Sequence, residues 1–154
     1  MQPSARYTNV LRSLLTALAT AGLPAPVVPR EDVRFDSKTE SEFYQIHVMF
    51  DPEQPAGTLG SYNAAVATVQ IQADCWARGT EGEQVAVFDR AEQLADTLAD
   101  WFRNKTIAIL DYVGGSQAQC AWLQLRLTRR SFFPPTEGFQ RRMLEVSGFW
   151  LLEY

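Results

Sequence analysis

Residues able to carry catalytic chemistry are few in this 154-residue chain. It has one histidine, His47, and two cysteines, Cys75 and Cys120, all in segments where apolar and polar residues alternate. A nucleophile needs a base within hydrogen-bond reach, so a Ser–His–Asp or Cys–His site would have to use His47. No nucleophile elbow, Walker, dinucleotide-binding or EF-hand pattern accompanies it. We therefore expect a non-enzymatic protein without a cofactor.

The sequence offers no metal-binding pattern either, because zinc sites of the usual spacing need Cys and His clusters that do not occur here. Two buried, reduced thiols are the favoured interpretation of the cysteines. A disulfide between them requires that their strands be neighbours. A carboxylate pair such as Asp74 with Asp111 would have to be assembled by folding, and no feature of the sequence favours it.

Four acidic residues share one side of the best-defined element, a helix predicted over 80–104. A capping box, Thr80-x-x-Glu83, begins it, and Asn104 suits a left-handed C-cap. Three interpretations fit the acidic side: an acid–base or cation site, a solvated face, or a surface that meets basic groups of another subunit. The solvated face is the commonest. The four acidic residues are Asp89, Glu92, Asp96 and Asp100.

Five arginines and three phenylalanines lie close together near the C-terminus. Aromatic and arginine enrichment beside stiffening prolines is typical of a protein interface. A solvated hairpin whose phenylalanines fold back onto the sheet is equally compatible. The net charge of −4 argues against nucleic acid as the partner. The residues are Arg126, Arg129, Arg130, Phe132, Phe133, Phe139, Arg141 and Arg142.

Periodicity predicts one α+β domain over residues 1–154, with an antiparallel or mixed sheet of about five strands and two helices on one face. The first helix is predicted over 4–21, with Gly22 as its C-cap. No apolar run is long enough for a membrane span, and no signal peptide is apparent. Strands are predicted at 43–50, 64–77, 106–113, 120–128 and 141–154, a short one at 33–35, and loops at 51–63 and 129–140.

This order of elements resembles the phage tail terminator family, the lambda-type tail completion proteins. The N-terminal helix, residues 5–22, and the alternating strand, residues 66–77, carry part of the resemblance. The helix at 89–104 and the aromatic C-terminal strand at 146–154 carry the rest. The resemblance spans nearly the whole chain as an order of elements.

The resemblance implies an α/β protein that forms a hexameric ring, caps the tail tube, and joins it to the head-completion or connector protein. It implies no catalytic residues, no cofactor and no membrane. The protein would be assembled in the cytoplasm of the bacterial host and belong to the virion tail. We expect the acidic side of the second helix to meet the arginine-rich hairpin of a neighbouring subunit. Another neck or tail-assembly factor, or a monomeric or dimeric protein-binding module, is the alternative.

Overall fold

The computed structural model describes residues 7–30, 41–49, 69–79, 84–136 and 138–151. Two helices, α1 (Tyr7–Ala19) and α2 (Gln84–Phe102), accompany six strands. None of the described helices is both long and apolar enough to cross a membrane. The strands are β1 (Val27–Pro29), β2 (Glu42–Met49), β3 (Val69–Arg78), β4 (Lys105–Leu110), β5 (Gln119–Thr136) and β6 (Phe139–Leu151).

All six strands form one mixed sheet in the order β1-β2-β3-β6-β5-β4. The β1–β2 pair is parallel, and every other neighbouring pair is antiparallel. Helix α1 contacts both edge strands, β1 and β4, so the sheet curls around it. Helix α2 packs on the central strands β3 and β6 and touches β5. We call the sheet face toward the helices the inner face and the opposite face the outer face.

One continuous core lies between the inner face and both helices. Val10, Leu14 and Leu18 recur every four residues along α1 and are all buried, which explains why this segment is helical. On β2, Tyr44 is fully buried, and its hydroxyl donates a hydrogen bond to the backbone carbonyl of Leu94 on α2, at 2.9 Å. This bond satisfies a polar atom that burial would otherwise leave costly.

The predicted α+β architecture with both helices on one face is confirmed, and the sheet has six strands where about five were predicted. The first helix begins at Tyr7, and both predicted left-handed caps are confirmed, with φ of 69° at Gly22 and 51° at Asn104. Strand β1 was not predicted, because three residues with prolines nearby carry no periodic signal. The capping box at 80–83, the strand at 33–35 and the loop at 51–63 lie outside the described residues.

Polar side chains of α1 hold the turn between β4 and β5. Asn9 Oδ1 accepts hydrogen bonds from the backbone N–H groups of Tyr112 and Val113, at 2.8 and 3.0 Å. Asp111 accepts from Asn9 Nδ2 and from the backbone N–H of Gly114. Asp111 therefore orders this turn, and nothing in the described structure joins it to Asp74.

Candidate protein-interaction site on the β5–β6 hairpin

The connection predicted at 129–140 is instead mostly strand, and this prediction is wrong. Strand β5 continues to Thr136 and pairs with β6 around a turn at Gly138, where φ is 81°. A register shift between Leu127 and Arg129 leaves Thr128 as an extra residue. Simple alternation from Leu127 would place Arg130 on the outer face, but this bulge turns it to the inner face, beside α2.

On the inner face, two arginines of the hairpin bind the acidic side of α2. Arg130 forms ion pairs with Glu92 at 2.7 Å and with Asp96 at 2.6 Å. Arg142 Nε donates to the other oxygen of the Glu92 carboxylate. These contacts tie α2 to the hairpin within one chain. The contact of this acidic side with a neighbouring subunit stays a prediction, and within one chain Glu92 and Asp96 already have a basic partner in Arg130.

Arg142 is the largest fully buried side chain in the part of the chain that the structure describes, with 1% of its surface exposed. Its guanidinium lies between the rings of Phe88 and Phe132, at 4.7 Å from each centroid. Nη1 donates to Gln140 Oε1 and to the carbonyl of Arg141. Nη2 has no acceptor among the described residues. Aromatic faces attract a desolvated cation, so the two rings stabilise a charge that the core would otherwise disfavour.

On the outer face, the neighbouring residue Arg141 also binds a carboxylate and aromatic rings, but here the carboxylate is buried and the arginine is partly exposed. Its Nε and Nη2 donate to Asp74 Oδ1 at 3.0 and 2.9 Å, and Gln72 Nε2 donates to Asp74 Oδ2 at 3.0 Å. The Asp74 side chain is only 4% exposed. The Arg141 guanidinium lies over the rings of Phe133 and Trp76, at 4.5 and 5.2 Å.

The aromatic residues of the outer face cover one another within a single chain. Trp76 stacks on Phe43 with a centroid distance of 5.9 Å, and Phe139 packs edge-on against both rings. The indole N–H of Trp76 donates to Gln45 Oε1 at 3.1 Å. Trp76 is therefore covered by residues of its own chain.

Three charged side chains of the predicted interface remain exposed without an ion-pair partner in the part of the chain that the structure describes. They are Asp89 on α2 and Arg126 and Arg129 on β5. Asp100 pairs with Arg103 at 3.0 Å on the solvent side of α2, where both side chains are mostly exposed. Such an exposed pair contributes little to stability.

Two apolar patches are exposed near opposite ends of the hairpin. The helix-side patch consists of Val85 and Phe88 of α2 with Phe132 of β5, and Val85 is 76% exposed. The sheet-side patch consists of Phe149 and Leu151 of β6, directly opposite Gln124 and Trp122 of β5. A shallow cleft of about 350 Å³ adjoins the sheet-side patch, between Phe149, Arg126, Gln124 and Asn104.

The residues first considered for chemistry lie apart. His47 is on the outer face of β2, opposite Gln72. Both cysteines are free, and β6 separates the strands that carry them. Burial raises the pKa of the Cys75 thiol well above its ordinary value, and the charge of Asp74 raises it further. The described residues contain no group of three or more His, Cys, Asp or Glu able to hold a metal ion.

The predicted interface set is thus divided between two faces of one hairpin. Glu92, Asp96, Arg130, Phe132 and Arg142 come together on the inner face, whereas Phe133, Phe139 and Arg141 lie on the outer face. Sequence reasoning missed Phe88 and Asp74. Asp74 carried a usable signal, because it is the one acidic residue of β3.

No family model and no curated protein sequence matches the chain. Solved structures share its fold. One of them superposes with a TM-score of 0.55 over 96% of this chain and 94% of its own length, at 15% sequence identity. The name of that protein states no function. At this identity the similarity shows the fold alone.

Proposed function

We propose that this protein is a structural component of a phage or prophage tail, a terminator whose ring caps the tail tube and joins it to the head connector. Its partners are further copies of itself, as a hexamer, the tail tube protein and the head-completion protein. It works without a cofactor and has no catalytic residues.

The observation that carries the proposal is the pair of apolar patches at opposite ends and faces of one hairpin. Monomeric proteins bury most large apolar side chains, and contiguous exposed patches mark interaction sites. A subunit with two different apolar interaction surfaces can bind a neighbour on each side, which is the requirement for a ring. A domain of this size has ample room for such surfaces while keeping the core described above.

The mode of subunit contact that we propose differs from the one that the sequence suggested. Glu92, Asp96 and Arg130 are already paired within the chain, so they contribute rigidity to the hairpin and not new charge for a neighbour. Asp89, Arg126 and Arg129 are the members of the predicted interface that have no ion-pair partner within the described ranges.

The test is tube capping. Tail tubes assembled from purified tube protein are mixed with this protein and viewed by electron microscopy. We expect a ring at one tube end and an arrest of tube elongation, with a hexamer-sized ring by native mass measurement. The proposal is wrong if the tubes elongate unchanged and the protein stays monomeric at high concentration.

A protein-binding module is the second candidate, and the open edge of β5 favours it. Strand β4 pairs with β5 only as far as Leu125, and no described strand pairs with the same edge beyond it. Open edges accept strands from other chains. Arginines, the bulge at Thr128 and two prolines all discourage such pairing, so we rank this candidate second. A stable monomer that captures a strand-forming peptide without touching tail tubes would favour it.

A further inference from the structure

We infer that the helix-side patch of one copy docks on the sheet-side patch of the next copy, with Asp89 facing Arg126. This inference rests on the proposed function and assigns its subunit contact to particular residues. The occupant of each patch is therefore a second copy of this chain, and the contact is head-to-tail.

The geometry of the hairpin separates the two patches. Phe132 and Trp122 lie ten positions apart along β5, which corresponds to about 33 Å at the usual rise of a strand. Phe132 faces α2, whereas Phe149 and Leu151 point to the outer face. Because the two surfaces do not overlap, each copy can use both at once. Repetition of such a contact closes into a ring or continues as a filament.

Charge complementarity selects this pairing over a contact between two like patches. Asp89 lies one turn from Val85 on α2 and is exposed, so the helix-side patch has an acidic residue at its rim. Arg126 lines the cleft beside Phe149, so the sheet-side patch has a basic rim. A contact between two helix-side patches would bring the Asp89 carboxylates of both copies together, which opposes self-pairing of that surface.

The helix-side patch also has an unsatisfied donor. Arg142 Nη2 lies beneath Phe88 and Phe132 and has no acceptor among the described residues. Buried donors normally have acceptors. Phe132 is 62% exposed and can shift without opening the core, which would allow a carbonyl oxygen of the docked copy to approach this nitrogen.

The test blocks one patch at a time. Val85→Asp disables the helix-side patch, and Phe149→Asp disables the sheet-side patch. Each variant alone should be monomeric by light scattering. An equimolar mixture should give a species of two subunits and nothing larger, because only one productive interface remains. Val113→Asp is the control, since Val113 lies outside both patches and is about as exposed as Phe149, so it should leave the wild-type oligomer intact.

A charge exchange tests the named pair. Asp89→Lys and Arg126→Glu should each weaken association about threefold to tenfold, and the two together in one chain should restore it. Circular dichroism confirms that each variant is folded. If the wild type forms rings and the patch variants do so equally well, the inference is wrong while the proposed function stands. If the wild type stays monomeric even on tail tubes, both are wrong.

Discussion

The inner and outer faces of the β5–β6 hairpin each combine an arginine, a carboxylate and two aromatic rings, but they bury opposite members of the ion pair. Neighbouring residues Arg142 and Arg141 point to the two faces, and each binds a carboxylate and lies against two aromatic rings. On the inner face the arginine is buried, at 1% exposure, and its partner Glu92 is 37% exposed. On the outer face the carboxylate of Asp74 is buried and Arg141 is 26% exposed.

This difference in burial determines how much stability the protein loses when one partner of each ion pair is removed. A buried charge that loses its partner keeps the cost of desolvation without the attraction that offset it. Removing Arg141 leaves the Asp74 carboxylate buried with one amide donor. Removing the Glu92 charge leaves Arg142 buried, but its two aromatic neighbours and two remaining acceptors continue to stabilise it. The outer face should therefore be the more sensitive to the loss of one partner.

The largest effect is expected for Arg141→Met, which keeps the length of the side chain and removes its charge. We expect a loss of about 3 kcal/mol in the free energy of unfolding, measured by urea denaturation. Arg129→Met is the matched control, because Arg129 has no ion-pair partner among the described residues, and it should change stability by less than about 0.5 kcal/mol.

A double variant separates the charge from the packing at this position. Asp74→Leu combined with Arg141→Met removes both charges and should recover a large part of the loss, because an apolar pair no longer leaves a buried ion. Equal stability losses for Arg141→Met and Arg129→Met would show that the Asp74 carboxylate is not sensitive to its partner.

The inner face should respond less to the same kind of change. Glu92→Gln removes a charge that pairs with both Arg142 and Arg130, and we expect a loss of about 2 kcal/mol, because the amide oxygen still accepts one hydrogen bond. Asp100→Asn removes an acid from the same helix whose pair is exposed, so unfolding should be nearly unchanged. If Glu92→Gln lowered the free energy of unfolding more than Arg141→Met, the inner face would be the more sensitive one, contrary to our expectation.

The sequence was sufficient to predict the helices and strands whose apolar residues recur with a clear period. Apolar residues at helical spacing located α1 and α2, and alternation located β2, β3 and β5, because each of these patterns reflects one buried face. Short β1 has too few residues to show a period. The turn end of the hairpin was also missed, because two consecutive prolines are typical of a loop, whereas pairing with the antiparallel strand β6 keeps the segment extended.

The candidate site was predictable in composition and not in arrangement. The acidic side of α2 and the arginine cluster were both identified, but the bulge at Thr128 decides which arginine faces the helix. One extra residue in a strand changes every face assignment after it. No local pattern in the sequence indicates the bulge. The pairing of Glu92 and Asp96 with Arg130 of the same chain was therefore not predicted, and only a contact with the hairpin of a neighbouring subunit was expected.

Alkaline pH offers a further comparison, because both strongly shifted groups lie on the inner face. Burial raises the pKa of the Cys75 thiol above its ordinary value of 9.0, and burial likewise raises the pKa of Tyr44 above 10.0. Above pH 9 the unfolded chain releases the thiol proton while the folded protein retains it. The unfolded state then binds fewer protons, so the free energy of unfolding falls as the pH rises.

Between pH 9 and 10 we expect Cys75 to account for a loss of about 1 kcal/mol, measured as a fall in the urea midpoint. Cys75→Ala should remove this slope while lowering stability at pH 7, since the smaller side chain leaves a cavity. Tyr44→Phe should leave the slope between pH 9 and 10 unchanged and flatten the one above pH 10. Equal alkaline slopes in the wild type and Cys75→Ala would mean that the thiol is ionised in the folded protein.

The smallest effects on stability, and the sharpest separation of the faces, should come from Phe132→Ala and Phe133→Ala. These neighbours lie over Arg142 and Arg141 respectively, and each loses one cation–aromatic contact. Phe133 is half-buried, so we expect about 1 kcal/mol for its loss and about 0.5 kcal/mol for that of the more exposed Phe132. Self-association should show the reverse order, because Phe132 belongs to the helix-side patch and Phe133 to neither patch. Urea unfolding and light scattering on the same two variants measure both orders. The two orders cross only if Phe133 serves mainly stability and Phe132 serves mainly subunit contact.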